Sequence, residues 1–564
     1  MDRRTLLALV LTAIVIVVTP ILFPGPKRPL VNRDSVAIAD SLARRDTTAI
    51  APQPAPTIAA TPGKPRPTAT ATPVVTVETT TVATPHAVYR IANVGATPVS
   101  VSLPAYKSLR DSARGAVELV EPGDRLLHLA IASGREVRSL DSVVFDAQPQ
   151  RVLNGVIVQS FTSRGDNARG PVTLTYRFQR DSFAFQLDGS VTAAPGSQLL
   201  VSLPRRVRSE ERDQRDDVRH LSFGFKPGSG DAKGVPYRDI EPGAVRADSG
   251  AIRWVAERNK YFVVAAIPVA PDTAFRRIEM QGGPRVDKEA TTARVTAHLP
   301  LRGDAFSLRV FAGPQAWDHL RKTAPDLENV NPYGGWLHGV VQPFATIVMR
   351  LLLWIKSSTA LSYGWVLVIF GVVVRVLLWP LNQNAMRSSM KLQRIQPELT
   401  ALQKKYADNP ERQRDAMMKL YQEHGMSPFT PVLGCLPMLL PMPILFALYF
   451  VFQNTIELRG VSFLWLPDLS LKDPLFITPL FMGISMFVLS WIGMRGMPPN
   501  PQSKMMSYMM PVMFTVLFWN FASGLNLYYA VQNIAALPQQ WLLARERTSS
   551  SPPAAPRGTA REKG

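Results

Sequence analysis

Ser362-Tyr363-Gly364-Trp365-Val366-Leu367-Val368-Ile369-Phe370-Gly371-Val372-Val373-Val374-Arg375-Val376-Leu377-Leu378-Trp379-Pro380-Leu381 is an apolar stretch broken by a single charge. Its length, about 20 residues, suits a helix crossing a hydrocarbon core of roughly 30 Å. Burying a guanidinium in that core costs from about 2.5 to more than 10 kcal/mol, so Arg375 must face water, a partner or the interface. Two readings stay open. The side chain can snorkel, since about six residues, on the order of 9 Å along a helix, separate it from the end of the run. Alternatively, it lines a water-filled cavity.

Outward from this stretch, four further runs lack any charge: Phe429 to Phe452, Leu475 to Met494, Met505 to Phe521, and Gly524 to Leu543. None of the five contains Asp, Glu or His, so no carboxylate within the membrane can balance Arg375. A further apolar run, Leu6 to Phe23, follows Asp2-Arg3-Arg4, which fits either a signal peptide or an anchor. Pro24-Gly25-Pro26-Lys27 lacks a small-x-small cleavage pattern and favours an uncleaved anchor with a cytosolic N-terminus. The expectation is a polytopic α-helical membrane core of about six spans.

Between the first two runs of the core, Asn382 to Pro428 carries Arg387, Lys391, Arg394, Lys404, Lys405, Arg412, Arg414 and Lys419. This excess of base places the segment in the cytosol. The Asn454 to Pro474 loop is then outside, the Gly496 to Lys504 loop inside, and both termini cytosolic. The segment has the pattern of a helical hairpin. Leu392, Ile395, Leu399, Leu402 and Tyr406 form one stripe, Asn409-Pro410 supplies an N-cap and a first-turn proline, and Met417, Leu420 and Tyr421 line the return arm. Its basic residues are a solvated face or a docking surface for ribosomal RNA, a targeting factor or anionic lipid.

The last run is crowded with Asn526, Tyr528, Tyr529, Gln532, Asn533, Gln539 and Gln540. Lipid offers these groups no partner, so they face the bundle interior or a cavity, and hydrogen bonds between helices account for some of them. Pro431, Pro437, Pro441 and Pro443 remove backbone donors from the run that begins at Phe429 and bend it. Together these features describe a wet, positively charged recess within the membrane.

The front half is polar. Ala51 to Pro85 is built of Pro, Thr and Ala and has the composition of an extended linker. From His86 to Pro325 the pattern alternates with period two, as in Val172, Leu174, Tyr176 and Phe178, then Phe183, Phe185 and Leu187, then Phe306, Leu308 and Val310. That predicts a large antiparallel β-sandwich on the outer side. Gln342 to Lys356 sets Phe344, Ile347, Val348, Leu351, Leu352 and Ile355 at helical spacing beside Arg350 and Lys356, which predicts an amphipathic interfacial helix or the start of a longer span. The expected divisions are an anchor over 1–24, a linker over 25–85, the β-domain over 86–325 and the interfacial helix over 326–360. A core over 361–545 with its hairpin at 382–428, and a disordered basic tail over 546–564, complete the chain.

Composition narrows the function. The 564 residues carry 63 Lys and Arg against 43 Asp and Glu, a net charge of +20, which suits nucleic acid, ribosomes or anionic lipid. The single cysteine, Cys435, excludes an internal disulfide framework and multi-cysteine zinc sites. His86, His128, His220, His298 and His319 are scattered without ligand spacing. An intramembrane protease needs a nucleophile with a base or paired carboxylates, which the runs lack. A channel or transporter, the alternative reading, predicts paired intramembrane charges or repeated broken helices. A mere anchor for the β-domain leaves five runs and the basic hairpin unexplained.

Several ordered motifs resemble the YidC/Oxa/Alb family of membrane protein insertases, in its bacterial form with a large periplasmic domain. They are Tyr363-Gly364-Trp365 through Val374-Arg375 and Trp379-Pro380-Leu381, Met390-Lys391 through Gln396-Pro397-Glu398, Gly434-Cys435-Leu436-Pro437 through Leu448-Tyr449, and Met510-Pro511-Val512 through Tyr528-Tyr529. Lys260-Tyr261-Phe262 and Phe311-Ala312-Gly313-Pro314 add to the likeness. The resemblance implies a conserved five-helix core with a hydrophilic groove open to cytosol and lipid, in which Arg375 is the groove arginine. It also implies a periplasmic β-supersandwich of the galactose-mutarotase type. Groove residues would be Arg375, Gly371, Asn526, Tyr528, Tyr529 and Gln532, with Gly371 standing where many members carry a hydroxyl residue. Hairpin contacts would be Lys391, Arg394, Lys404, Lys405, Arg412 and Arg414. The implied partners are nascent membrane proteins, the Sec translocon, the ribosome, the signal recognition particle or its receptor, and the bilayer. The resemblance implies no role for DNA, for a cofactor or for a catalytic residue.

Overall fold

The computed structural model describes residues 76–549 apart from 111–114, 165–169, 270–273, 287–288, 302, 332–337, 381, 384–394, 396–397, 400, 408, 425–441 and 496–500. The expected anchor, most of the linker, Lys391, Arg394, Cys435, Pro431, Pro437, Pro441 and the tail beyond 549 lie outside the described residues.

The outer domain is an antiparallel β-sandwich. Alternating residues put one row of side chains inward from each strand. Leu174, Tyr176 and Phe178 of strand Thr173–Phe178, Phe185 and Leu187 of strand Ala184–Ser190, and Leu308 and Val310 of strand Ala305–Pro314 are all buried in one core. The three strands are neighbours, with Tyr176 opposite Leu187 and Leu187 opposite Leu308. They belong to a 15-stranded sheet that packs with a four-stranded one formed by Thr79–Ala83, Val88–Ala92, Pro98–Lys107 and Ala116–Glu118. Two buried tyrosines tie the sheets together: Tyr89 donates to the Phe183 carbonyl at 3.2 Å and Tyr176 to that of Ala96 at 2.5 Å.

The domain starts earlier than its composition implies. Thr79–Ala83, assigned above to the linker, is a strand paired residue for residue with Val88–Ala92. Its threonines are β-branched and favour extended backbone, and Val82 is wholly buried. At the other end, Leu327 and Val330 still belong to the sandwich core, so the domain passes the expected boundary at 325.

Among the described residues the helices include α1 (Gln214–Arg219), α2 (Trp317–Thr323), α3 (His338–Thr359), α4 (Tyr363–Leu377), α5 (Pro410–Glu423), α6 (Met442–Asn454), α7 (Ile477–Gly493), α8 (Pro501–Leu517) and α9 (Ser523–Ser549). A second apolar core joins Ala345 and Leu352 of α3, Leu367 and Phe370 of α4, Leu448 and Phe452 of α6, and Leu525 and Tyr528 of α9. Helix α9 runs on through Arg545 to Ser549, so the first residues of the expected disordered tail are helical, as Ala, Arg and Glu favour.

Among the described residues no single helix is long and apolar enough to cross a membrane. Helix α7, at 17 residues, rises about 25 Å, short of the hydrocarbon core. Helix α9 is long enough at 27 residues, but its amides and hydroxyls lower its hydropathy. The segment from Val341 to Leu377 passes by length and composition as a bent pair, with a 119° turn between α3 and α4.

The basic segment forms the anticipated packing of two arms. Ile395 and Leu399 of the first arm meet Leu420 and Tyr421 of α5, with Leu402 and Met417 against them. Asn409 caps α5, its Oδ1 accepting from the Arg412 amide at 3.1 Å, and Pro410 occupies the first turn.

Candidate functional site

Helix α4 presents Gly364, Val366, Leu367, Phe370 and Gly371 to the bundle, while Trp365, Val372, Val376 and Leu377 are exposed. Arg375 follows Gly371 by one turn and lies at the edge of the buried face, half-buried. Helix α9 lies alongside α4 in the same direction: Gly524 meets Leu367, Val531 meets Gly371, and Gln539 meets Arg375. Gly371 is buried in this seam, and a β-carbon there would come within 3.1 Å of Val531 Cγ1 and 3.5 Å of the Tyr528 carbonyl oxygen. Its want of a side chain sets how closely the two helices approach.

The Arg375 guanidinium donates from Nη2 to Gln539 Oε1 at 2.7 Å. Gln539, itself buried, donates from Nε2 to the Trp379 carbonyl at 3.2 Å, close to the C-terminal end of α4. Arg375 makes no ion pair among the described residues, in keeping with the lack of acids in the apolar runs. Its Nε is buried with no hydrogen-bond partner among them.

The other residues expected to line a groove lie further back along α9. Tyr528 is fully buried, its ring 5.4 Å from Phe370, 5.7 Å from Phe452 and 5.1 Å from Tyr529. Asn526 is fully buried and donates to the Phe518 carbonyl at 3.2 Å. Asn526 Oδ1 and the hydroxyls of Tyr528 and Tyr529 have no hydrogen-bond partner among the described residues. Each such group costs about 1–3 kcal/mol unless water or a polar guest engages it. Gln532 is half-buried on the next turn. By contrast, Asn533 bridges to α7 through Ser485 Oγ at 3.1 Å, and Gln540 lies against Gly493 of α7. These last two are interhelical contacts.

On the hairpin, Lys404, Lys405, Arg412 and Arg414 are exposed. Lys405 lies 5.4 Å from the Tyr406 ring.

A third cluster went unread in the sequence. Arg459, in the loop between α6 and α7, reaches into the outer domain and is almost wholly buried. Its Nε pairs with Glu211 Oε1 at 2.7 Å, Nη1 donates to the Lys107 carbonyl at 3.0 Å and Nη2 to the Glu210 carbonyl at 3.3 Å. The guanidinium also lies over the rings of Tyr261 and Phe262, two residues of the Lys260-Tyr261-Phe262 motif. Ile456 of the same loop packs into the sandwich core. Burial pushes the Glu211 carboxyl up to about 7 against the opposing pull of Arg459, and burial likewise pushes Glu457 up to about 7. The Lys260-Tyr261-Phe262 motif was the available signal, since it sets a basic side chain beside two aromatic rings of the kind that receive a guanidinium.

Comparison with known proteins bears on both halves. Residues 79–347 match the family model of the YidC periplasmic domain, and residues 354–550 match that of the 60Kd inner membrane protein. The chain is 31% identical over 407 residues to the membrane protein insertase YidC of Chlorobium phaeovibrioides, covering 68% of each protein. The chain belongs to the YidC family of membrane protein insertases. It is 28% identical over 585 residues to the YidC of Prosthecochloris aestuarii, covering 98% of this chain and 96% of that one. Among solved structures it is similar to an active YidC insertase crystal structure with the first transmembrane domain resolved, at 20% identity and a TM-score of 0.34, over 83% of this chain and 93% of that one. As a YidC-family member the chain is an inner-membrane protein, and its β-sandwich is the periplasmic domain.

Proposed function

We propose that this chain inserts nascent membrane proteins into the inner membrane through a hydrophilic recess along the seam of α4 and α9. The single observation that carries the reading is the environment of Arg375: a half-buried guanidinium bound by an amide, with no acid to neutralise it among the described residues. The Asn526, Tyr528 and Tyr529 side-chain oxygens on the neighbouring helix, which have no hydrogen-bond partner among the described residues, support the same reading.

An extended hydrophilic tail in lipid leaves its backbone groups unsatisfied at several kcal/mol each. A wet recess reaching partway across supplies water and shortens the apolar distance that remains. Arg375 attracts acidic or polar groups of the tail, while the substrate's apolar segment slides along α6 and α8 into lipid. Burial of about 20 apolar residues then drives the step without nucleotide hydrolysis. No covalent chemistry is required, and the chain acts as an insertase and chaperone.

The same reading includes six spans with both termini in the cytosol and the β-domain, a supersandwich, in the periplasm. Helix α3 lies along the outer surface, and the exposed bases of the hairpin dock the ribosome, the signal recognition particle or its receptor. The chain works alone or beside the Sec translocon. The test is insertion into proteoliposomes of a small two-span client whose translocated tail carries acidic residues. Arg375→Ala lowers insertion about tenfold or more, the scale of one lost charge contact, and Arg375→Lys is milder. Full activity of Arg375→Ala would refute the role given to the arginine.

A further inference from the structure

We propose that Gln539 is the positioning residue of the recess, holding the Arg375 guanidinium in place while leaving its charge available to acidic groups on the translocated segment. The inference rests on the reading of Arg375 given above and assigns its selectivity to a second side chain.

Two bonds define the position. Gln539 Oε1 accepts from Arg375 Nη2 at 2.7 Å, and Gln539 Nε2 donates to the Trp379 carbonyl at 3.2 Å. A guanidinium only donates and a carbonyl only accepts, so the bridging group must accept at one end and donate at the other. A side-chain amide does both, and the two partners fix which end is oxygen. Trp379 lies two residues beyond the end of α4, so this bond ties α9 to the stretch that directly follows α4. One amide therefore joins α9 to the stretch after α4 and restrains one edge of the guanidinium, while Nε on another edge has no partner among the described residues. Gln539 is 1% exposed, which holds its rotamer.

Charge decides why an amide serves here and a carboxylate would not. Glutamate has nearly the same shape and would accept from Arg375 at least as strongly. It would also cancel the positive charge that acidic tails sense, and it would turn a second acceptor toward the Trp379 carbonyl. Leucine would preserve volume but release the guanidinium, and asparagine is one methylene shorter.

The experiment is a competition between two versions of one two-span client, identical except that the translocated tail carries either acidic residues or their amides. Insertion into proteoliposomes is measured for the wild-type chain, Gln539→Glu, Gln539→Leu and Arg375→Ala. Gln539→Glu is expected to lower the ratio of acidic-tailed to amide-tailed insertion about tenfold, as Arg375→Ala does, because one charge contact is lost in either case. Gln539→Leu lowers the ratio less, since the charge survives but is no longer aimed. If Arg375→Ala lowers the ratio and Gln539→Glu does not, Gln539 has no part in selectivity and the reading of Arg375 stands. If Gln539→Glu depresses both clients equally, Gln539 is a packing residue and the inference is wrong. If Arg375→Ala leaves the ratio unchanged, both the reading and the inference fall.

Discussion

Arg459 and Glu211 form a buried ion pair 2.7 Å apart across the junction between the helical core and the periplasmic sandwich. The pair is surrounded by further restraints: two carbonyls on the guanidinium, two aromatic rings beneath it, and Ile456 inserted into the sandwich core. On the other flank, Gln342 of α3 donates to Asn329 at 3.0 Å, and Trp317 of α2 is flanked by Arg321 and Arg350. The sandwich is thereby fastened to the membrane core at more than one point.

Removing one partner of such a pair strands the other. Arg459→Ala should destabilise the junction by about 3–4 kcal/mol, the lower part of the range for broken buried pairs being favoured because Glu211 can take up a proton. Arg459→Lys should recover little, since an ammonium does not reproduce the fork that reaches Glu211 and two carbonyls. Limited proteolysis at the junction in detergent, with thermal unfolding alongside, reads both.

Protonation should tune the same junction. The Glu457 carboxyl is pushed up from 4.5 to about 7 by burial, and Glu211 shifts in the same direction. Facing Glu457 are Asp318 of α2, which raises it further, and Tyr106 of strand Pro98–Lys107; Arg459 pairs with Glu211. An acid whose pKa is raised in the folded state binds its proton more tightly there, so stability is greatest below about 4.5 and declines as pH rises to about 7. Glu457→Gln should flatten that decline and raise the melting temperature at pH 8. A melting curve whose pH dependence is unchanged in Glu457→Gln would contradict the assignment.

A second titration belongs to the sandwich alone. His128 lies 2.8 Å from both Asp124 and Asp141. Burial disfavours the charged ring, but the two carboxylates outweigh it and hold its pKa up at about 9, from 6.5. This contribution is fully present below about 6.5 and is lost as pH rises through about 9. Amide protection factors around strand His128–Ser133, which already allow for the rise of intrinsic exchange with pH, should therefore fall between these values, and His128→Gln should remove the fall.

Close packing in the core gives a further test. A β-carbon on Gly364 would collide with the ring of Phe463, which also packs edge-on against Trp365 at 5.4 Å. Gly364→Ala should destabilise the core by about 1–3 kcal/mol, and Gly364→Ala with Phe463→Leu should recover part of the loss. Thermal stability in detergent of the single and double variants decides it.

The sandwich was legible where local pattern and burial coincide. Phe183, Phe185 and Leu187 alternate in sequence and all face the core. The arms of the hairpin were legible for the same reason, since Ile395, Leu399, Leu420 and Tyr421 recur at helical spacing. Thr79–Ala83 was misassigned because a threonine-rich strand has the composition of a linker, and only its pairing with Val88–Ala92 distinguishes the two. Arg459 was invisible because its acid is 248 residues away, and Gln539 was noticed as a polar group without its partner because 164 residues separate it from Arg375. Periodicity reports which face of an element is buried. It carries no information about which distant group meets a lone charge.

The proposed function requires that polypeptides in transit occupy the recess beside Arg375. A photoreactive side chain placed at position 532, one turn beyond Tyr528 and Tyr529 on α9, tests it during translation of a small two-span protein stalled before release. The expected result is a crosslink to the polar tail of the stalled chain that disappears once insertion is complete. Crosslinks to lipid and to α4 alone, with none to the stalled chain at any length, would contradict it.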